Sequence, residues 1–218
     1  MTDPFITDRR QLAKTAPPKE SRYPRTGRRI DRIHEVLERR QPDLTVVLEN
    51  VHDPHNVAAV LRSCDAVGAM SVHITQDPST KPHKKFSRRA SGSAAKWLEI
   101  IEHPEIDDCY AVLREQGFTI VATGGGQSSK PMADIDLTVP AAIVLGNEMS
   151  GLSEAAMAGA DQVVTIPMMG MIRSLNISVA CAVLLYEAYR QRANAGLYRD
   201  PRLSESQISE LVETWERR

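Results

Sequence analysis

The chain has 218 residues, 42% of them hydrophobic, enough to bury one core of ordinary domain size. Its formal net charge of −1 does not by itself point to a polyanionic partner, and no apolar run reaches the ~20 residues that span a bilayer. Cys64, Cys109 and Cys181 are odd in number, far apart and each set in an apolar stretch, which predicts reduced core thiols in a cytoplasmic protein rather than a disulfide framework.

Residues 1–28 are polar, basic and proline-bearing, without the apolar centre of a secretory signal, and read as an extension. Ile30, Ile33, Val36 and Leu37 recur at helical spacing and predict a short amphipathic helix over 29–40. A strand follows at 44–50. Asp53-Pro54 breaks it, and Val57, Val60, Leu61, Cys64 and Val67 then line one face of a helix over 56–69. Strands are predicted at 71–75, 97–101, 118–123, 141–146 and 162–167. A helix opening at Pro104 and closing at Gly117 separates the second and third of these, a buried helix covers 174–192, and a last helix starts near Ser204, where S-E-S-Q offers a capping box. Strands rich in Val and Ile that alternate with helices imply an α/β fold whose parallel sheet is covered on both faces. The division that follows is a basic N-terminal extension over 1–40, a central domain over 41–193 and a helical C-terminal extension over 194–218.

Charge is unevenly spread. Residues 1–40 carry eleven Lys/Arg against six Asp/Glu, and residues 81–96 carry six Lys/Arg and no acid. Such islands suit a surface that meets a polyanion; they equally suit solvated loops.

In parallel sheets ligands sit beyond the carboxyl ends of the strands. Three strand ends here carry ligand-type loops: Thr123 with Gly124 to Gly126, Gly146 with Asn147, Glu148 and Gly151, and Ile166 to Asn176. Glycines let backbone approach a ligand closely, and Met168 and Leu175 can wall a pocket. Neither G-x-x-x-x-G-K-[ST] nor G-x-G-x-x-G is present, so the ligand reads as adenosine-like without a cradled polyphosphate. Asn56 and Arg62 both face a site only if their helix lies along it; the spacing alone favours a surface pair of Arg62 with Asp65 at i, i+3. No metal is expected, since His52-x-x-His55 is the only close histidine pair and no cysteine pair has zinc spacing. There is no G-x-S-x-G hydrolase elbow.

Three stretches, HNVAAVLRSCDAVG, IVLGNEMSGLS and IPMMGMIRSLNISVACAVLLYEA, resemble in order and spacing the three motifs of the SpoU–TrmH branch of the SPOUT RNA methyltransferases, over about residues 52–188. SRRASGSAAKWLEI and LSESQISELVETW are similar to the tRNA guanosine 2′-O-methyltransferase subgroup, and the residues before the first strand are too few for the globular N-terminal domain usual in the ribosomal RNA relatives. The resemblance implies a Rossmann-like parallel sheet tied into a deep C-terminal trefoil knot, an exception to the rule against knots. It implies a homodimer with composite active sites that transfers a methyl group from S-adenosylmethionine to the ribose 2′-hydroxyl of a D-loop guanosine, position 18, of tRNA. It assigns cofactor contacts to Thr123, Gly146, Ile166, Met168 and Leu175, and the catalytic site to Asn56, Arg62, Glu148, Ser174 and Asn176. The basic N-terminal extension, the 81–96 segment and the last helix would grip tRNA phosphates. Alternatives are a 2′-O-methyltransferase for ribosomal RNA or another tRNA position, and an RNA-binding protein without catalysis.

Overall fold

The computed structural model describes residues 27–75, 94–126 and 129–218. The expectations for the extension up to residue 26 and for the basic stretch 81–93 lie outside these residues.

Among the described residues thirteen helices and strands follow one another: α1 (Gly27–Leu37), β1 (Gln41–Glu49), α2 (Pro54–Val67), β2 (Ala69–Thr75), β3 (Glu99–His103), α3 (Ile106–Glu115), β4 (Thr119–Thr123), β5 (Lys130–Pro131), β6 (Ala141–Leu145), α4 (Glu154–Ala158), β7 (Gln162–Thr165), α5 (Ile177–Asn194) and α6 (Glu205–Glu216). The strands form one sheet in the order β3-β2-β1-β6-β4-β7-β5, and every pairing is parallel.

Alternation along the strands divides the core. Leu44, Val46 and Leu48 of β1 and Ala141, Ile143 and Leu145 of β6 face the layer that holds α2 and α5. Val47, Ile120, Ala142 and Val144 face α3 and α4 on the other side. Burying each Val, Leu or Ile of these layers is worth about 1.5–3 kcal/mol, so covering both faces is what commits the Val/Ile runs to a central sheet. The predicted face of α2 is the buried one: Val57, Val60, Leu61, Cys64 and Val67 are all in the core. The three cysteines are buried and free. A third apolar cluster, Ile33, Leu37, Leu203, Ile208, Val212 and Trp215, packs α1 against α6, so the two ends of the described chain meet in space.

Helix boundaries follow the caps. Asp53 caps α2 by accepting from the His55 amide, and Pro54 takes the first position, where its missing N–H costs nothing. Gly68 ends α2 with φ +85, and a Cβ there would meet the Arg39 carbonyl at 2.8 Å. Ser204 and Gln207 form the capping box expected from S-E-S-Q. The buried helix starts at Ile177 rather than Ser174, because Asn176 acts as its N-cap and accepts from the Ser178 amide at 2.9 Å. The third strand runs over Glu99–His103, two residues later than expected, because residues 94–96 form a short 3-10 turn that leads into it. The two-residue β5 and the five-residue α4 were not foreseen.

Two buried guanidiniums pin these parts. Arg192 of α5 donates to the carbonyls of Leu137, Val139 and Asp43, to Gln41 Oε1, and to the Asp43 carboxylate at 2.7 Å. Arg40 donates to Ala69 O and to Asp65 at 2.6 Å, and lies over the Trp215 ring. Among the described residues no helix is long and apolar enough to cross a membrane.

Candidate active site

The carboxyl ends of β1, β4, β6 and β7 open on one edge of the sheet. At the end of β1 the chain turns through Asn50, whose φ of 54 lies in the left-handed region. Glu49, 4% exposed, accepts from the Ser153 amide at 2.9 Å and from its hydroxyl at 2.6 Å, and so anchors the start of α4 to the end of β1.

The loop after β6 is fixed by backbone. Asn147 and Gly151 exchange amide–carbonyl hydrogen bonds, the Asn147 side chain accepts from the amides of Met149 and Ser150, and its amide group donates to Asn50 O. Gly146 is required by space: a Cβ there would come within 2.4 Å of the Gly151 carbonyl. The loop holds Glu148 at its exposed rim.

Glu148 joins the other two motifs there. Asn56, on the first turn of α2, donates from Nδ2 to Glu148 Oε1 at 2.5 Å, and its Oδ1 accepts from Asn176 Nδ2 at 3.1 Å. Asn176 in turn holds the start of α5 through Ser178. One chain of two side-chain amides and a carboxylate therefore links α2, the β6 loop and the start of α5. Both ends of the Asn56 amide are committed, which fixes its orientation.

Beside this cluster lies a cavity of about 310 Å³ between the β4 and β7 ends and the loop that leads into α5. Its walls include Thr123, Ile166, Met168, Ser174 and Leu175. Gly124 and Gly125 supply backbone without side chains on one side, and Ala180 and Leu184 of α5 close the floor. A mixed lining of aliphatic side chains, exposed peptide groups and hydroxyls suits the adenosine and methionine moieties of a nucleoside-type cofactor, and no phosphate cradle is present among the described residues. Four of the five residues assigned to the cofactor share this wall. Gly146 does not line it and acts instead by letting the β6 loop close on itself.

Of the residues assigned to catalysis, Asn56, Glu148 and Asn176 are joined by hydrogen bonds, and Ser174 lines the cavity two residues before Asn176. Arg62 stands apart. It is exposed on α2, and among the described residues it has no hydrogen-bond or ion-pair partner. The expected pairing with Asp65 does not occur, because Asp65 accepts from the buried Arg40, whose charge has greater need of a partner. Glu49, Asn50 and Ser153 escaped the sequence reading. A lone carboxylate at the end of an apolar strand is the signal that Glu49 carries.

The SpoU rRNA Methylase family matches residues 43–186 of the chain. A tRNA (guanosine(18)-2'-O)-methyltransferase of Thermus thermophilus is 45% identical over 194 residues, 89% of this chain and 98% of that protein. A solved TrmH/SpoU tRNA modifying enzyme of A. aeolicus superposes with a TM-score of 0.80 at 37% identity, over 87% of this chain and 95% of that one. The SpoU methyltransferase AviRb from Streptomyces viridochromogenes, solved in complex with AdoMet, superposes with a TM-score of 0.62 at 29% identity, over 75% of this chain and 64% of that one. The chain belongs to the SpoU rRNA Methylase family.

Proposed function

We propose that this protein methylates the ribose 2′-hydroxyl of guanosine 18 in the D loop of tRNA, working as a homodimer in the cytoplasm. The observation that carries this reading is the junction of the hydrogen-bonded chain Glu148–Asn56–Asn176 with a cavity whose lining includes Ser174. It is supported by the match to the Thermus thermophilus enzyme over nearly the whole of both chains.

S-adenosylmethionine, when bound, supplies a methyl group activated on a sulfonium. Thr123, Ile166, Met168 and Leu175 would hold it, with Gly146 keeping the β6 loop closed around the site. Asn56, fixed by Glu148 and Asn176, orients the acceptor ribose at the cavity mouth, and positioning of this kind supplies much of the rate. Arg62 holds the neighbouring phosphate and polarises the 2′-oxygen. A guanidinium has a pKa above ~12 and does not take the proton itself.

The solitary position of Arg62 supports a composite site, in which Arg62 of one protomer serves the cavity of the other. The exposed apolar side chains Met149, Met169, Met171, Ile172 and Val179 lie in the same loops and at the start of α5, and support a subunit contact there. The return of the chain from β7, at the β4 side of the sheet, to α5 packed beside α2 supports a threaded C-terminal knot. We divide the chain into a methyltransferase domain over 41–193 flanked by 1–40 and 194–218, which grip tRNA phosphates. Exposed Arg28, Arg32 and Arg39 near α1, and Lys96 and Arg217 beside α6, support this footprint.

Mapping of methylated nucleotides after incubation of unmodified total RNA with the protein tests the assignment. Methylation confined to tRNA guanosine 18 is expected. Methylation of ribosomal RNA or another tRNA position would select the nearest enzyme alternative, and retention of RNA without methylation would make the chain a binding protein.

A further inference from the structure

A second group of chemically capable side chains lies away from the cofactor cavity, at the β3–β2 edge of the sheet. His73 is on β2, His103 closes β3, and Cys109 is on the first turn of α3. The parallel register sets Thr75 beside His103, so His73 and His103 fall on the same face one pleat apart. The loop after β3 then turns α3 back over that face and brings Cys109 to the pair. His73 Nδ1 and His103 Nε2 are 2.8 Å apart, and their rings stack with centroids 5.1 Å apart and 12° between planes. The ligand atoms of all three residues lie within 4.8 Å of one another. His73 and Cys109 are buried and His103 is half-buried, so the group has a closed back and an open front. Among the described residues no other group of three His, Cys, Asp or Glu side chains converges in this way.

We propose that His73, His103 and Cys109 form a binding site for one divalent cation of borderline softness, with Zn²⁺ as the best fit. Two imidazole nitrogens and one thiolate are the donors that Zn²⁺ takes most readily, whereas hard cations such as Mg²⁺ and Ca²⁺ require oxygens. Tetrahedral coordination at ~2.1 Å from nitrogen and ~2.3 Å from sulfur sets donor–donor separations of roughly 3.4–3.6 Å. The two histidine nitrogens therefore open by roughly half an ångström and Cys109 closes in, which is a small side-chain adjustment. Three protein ligands leave one position for water, on the exposed side of His103.

The surroundings are consistent with this role. Burial, with His103 beside it, pulls His73 down to about 4, so its ring is neutral and able to ligate at neutral pH. Burial holds the Cys109 thiol up at about 12, and a dication supplies the positive charge that deprotonates a coordinating thiol. Asp108 is close enough to act on the charge of His103 and would partly balance the added charge. Sequence spacing could not reveal the site: the two histidines are 30 residues apart, and neither belongs to the close pair His52-x-x-His55. A bound cation would fasten the sheet edge to α3.

The test uses the full chain without an affinity tag, stripped with chelator and titrated with Co²⁺, which reports thiolate ligation as a charge-transfer band and coordination geometry as visible absorption. One Co²⁺ per chain is expected, with a thiolate band that Zn²⁺ displaces. Cys109→Ser should abolish the band, while Cys64→Ser and Cys181→Ser leave it unchanged. His103→Gln, at the half-exposed position that the fold tolerates best, should weaken binding about tenfold or more. Zn²⁺ should raise the melting temperature of the parent protein and not that of Cys109→Ser. The proposal is overturned if Co²⁺ gives no thiolate band with the parent protein, or if the band persists in Cys109→Ser.

Discussion

Asn56 Nδ2 donates to Glu148 Oε1 at 2.5 Å, a contact between residues 92 apart in the chain. It ties the first turn of α2 to the loop after β6, and Asn176 completes the link by donating to Asn56 Oδ1. The three motifs of the site thus hold one another before any substrate arrives.

Asn56→Asp removes the donor and sets one carboxylate against another. A hydrogen bond to a charged group is worth about 1.5–3 kcal/mol, so kcat should fall by about 10–100-fold while calorimetry finds cofactor binding largely intact. Asn176→Ala should lower kcat similarly, and it also removes the cap of α5 at a cost of about 1 kcal/mol, readable in urea unfolding.

Arg62 has no described partner to lose, so its removal should leave stability within about 0.5 kcal/mol of the parent. Turnover on tRNA should nevertheless collapse in Arg62→Ala with cofactor affinity retained. Arg62→Lys should fail as well, because a point charge does not reproduce the two-pronged guanidinium contact. Near-parental kcat in Arg62→Ala would remove this residue from the site.

Gly146→Ala places a Cβ within 2.4 Å of the Gly151 carbonyl, a backbone atom that cannot swing aside. Overpacking of this kind costs about 1–3 kcal/mol. Cofactor affinity should drop together with melting temperature, since the loop that presents Glu148 would have to open. An unchanged melting temperature would show that the loop is looser than described.

The order of the major strands and helices was legible because runs of Val and Ile fit only a sheet covered on both faces, and because Asp53-Pro54, Pro104, Gly117 and S-E-S-Q punctuate the helices; the stop at Gly68 was missed, and the helix expected through residue 69 ends at Val67. β5 was not legible: Lys130–Pro131 has no periodicity, and its pairing comes from β7. The buried arginines were hidden for a different reason. Arg40 and Arg192 look like surface charge in a sequence, and only the carbonyls of Ala69, Leu137 and Val139, brought in from elsewhere, make their burial tolerable. That network also explains the Arg62–Asp65 error, since Asp65 was already committed to Arg40. The glycines and polar side chains picked out in the sequence lie on loops that the structure brings to one edge of the sheet. The bonds among them depended on the return of α5 to α2, which no local pattern encodes.

His73 gives a pH dependence of defined sign in protein held free of divalent cations. Its folded pKa of about 4 lies below the ordinary value of 6.5, so the folded state binds fewer protons than the unfolded state in between. The stability it confers is complete above pH 6.5 and is lost as pH falls toward about 4, by up to about 3 kcal/mol. Urea midpoints measured from pH 7 to 4.5 should fall more steeply for the parent than for His73→Phe. Parallel profiles would show that the His73–His103 pair is not responsible.

The most direct test is methyl transfer from labelled S-adenosylmethionine to unmodified tRNA, compared with the same tRNA carrying 2′-deoxyguanosine at position 18. Efficient labelling of the first and none of the second is the expected result. Equal labelling of both would contradict the assignment of the 2′-oxygen of that guanosine as the methyl acceptor.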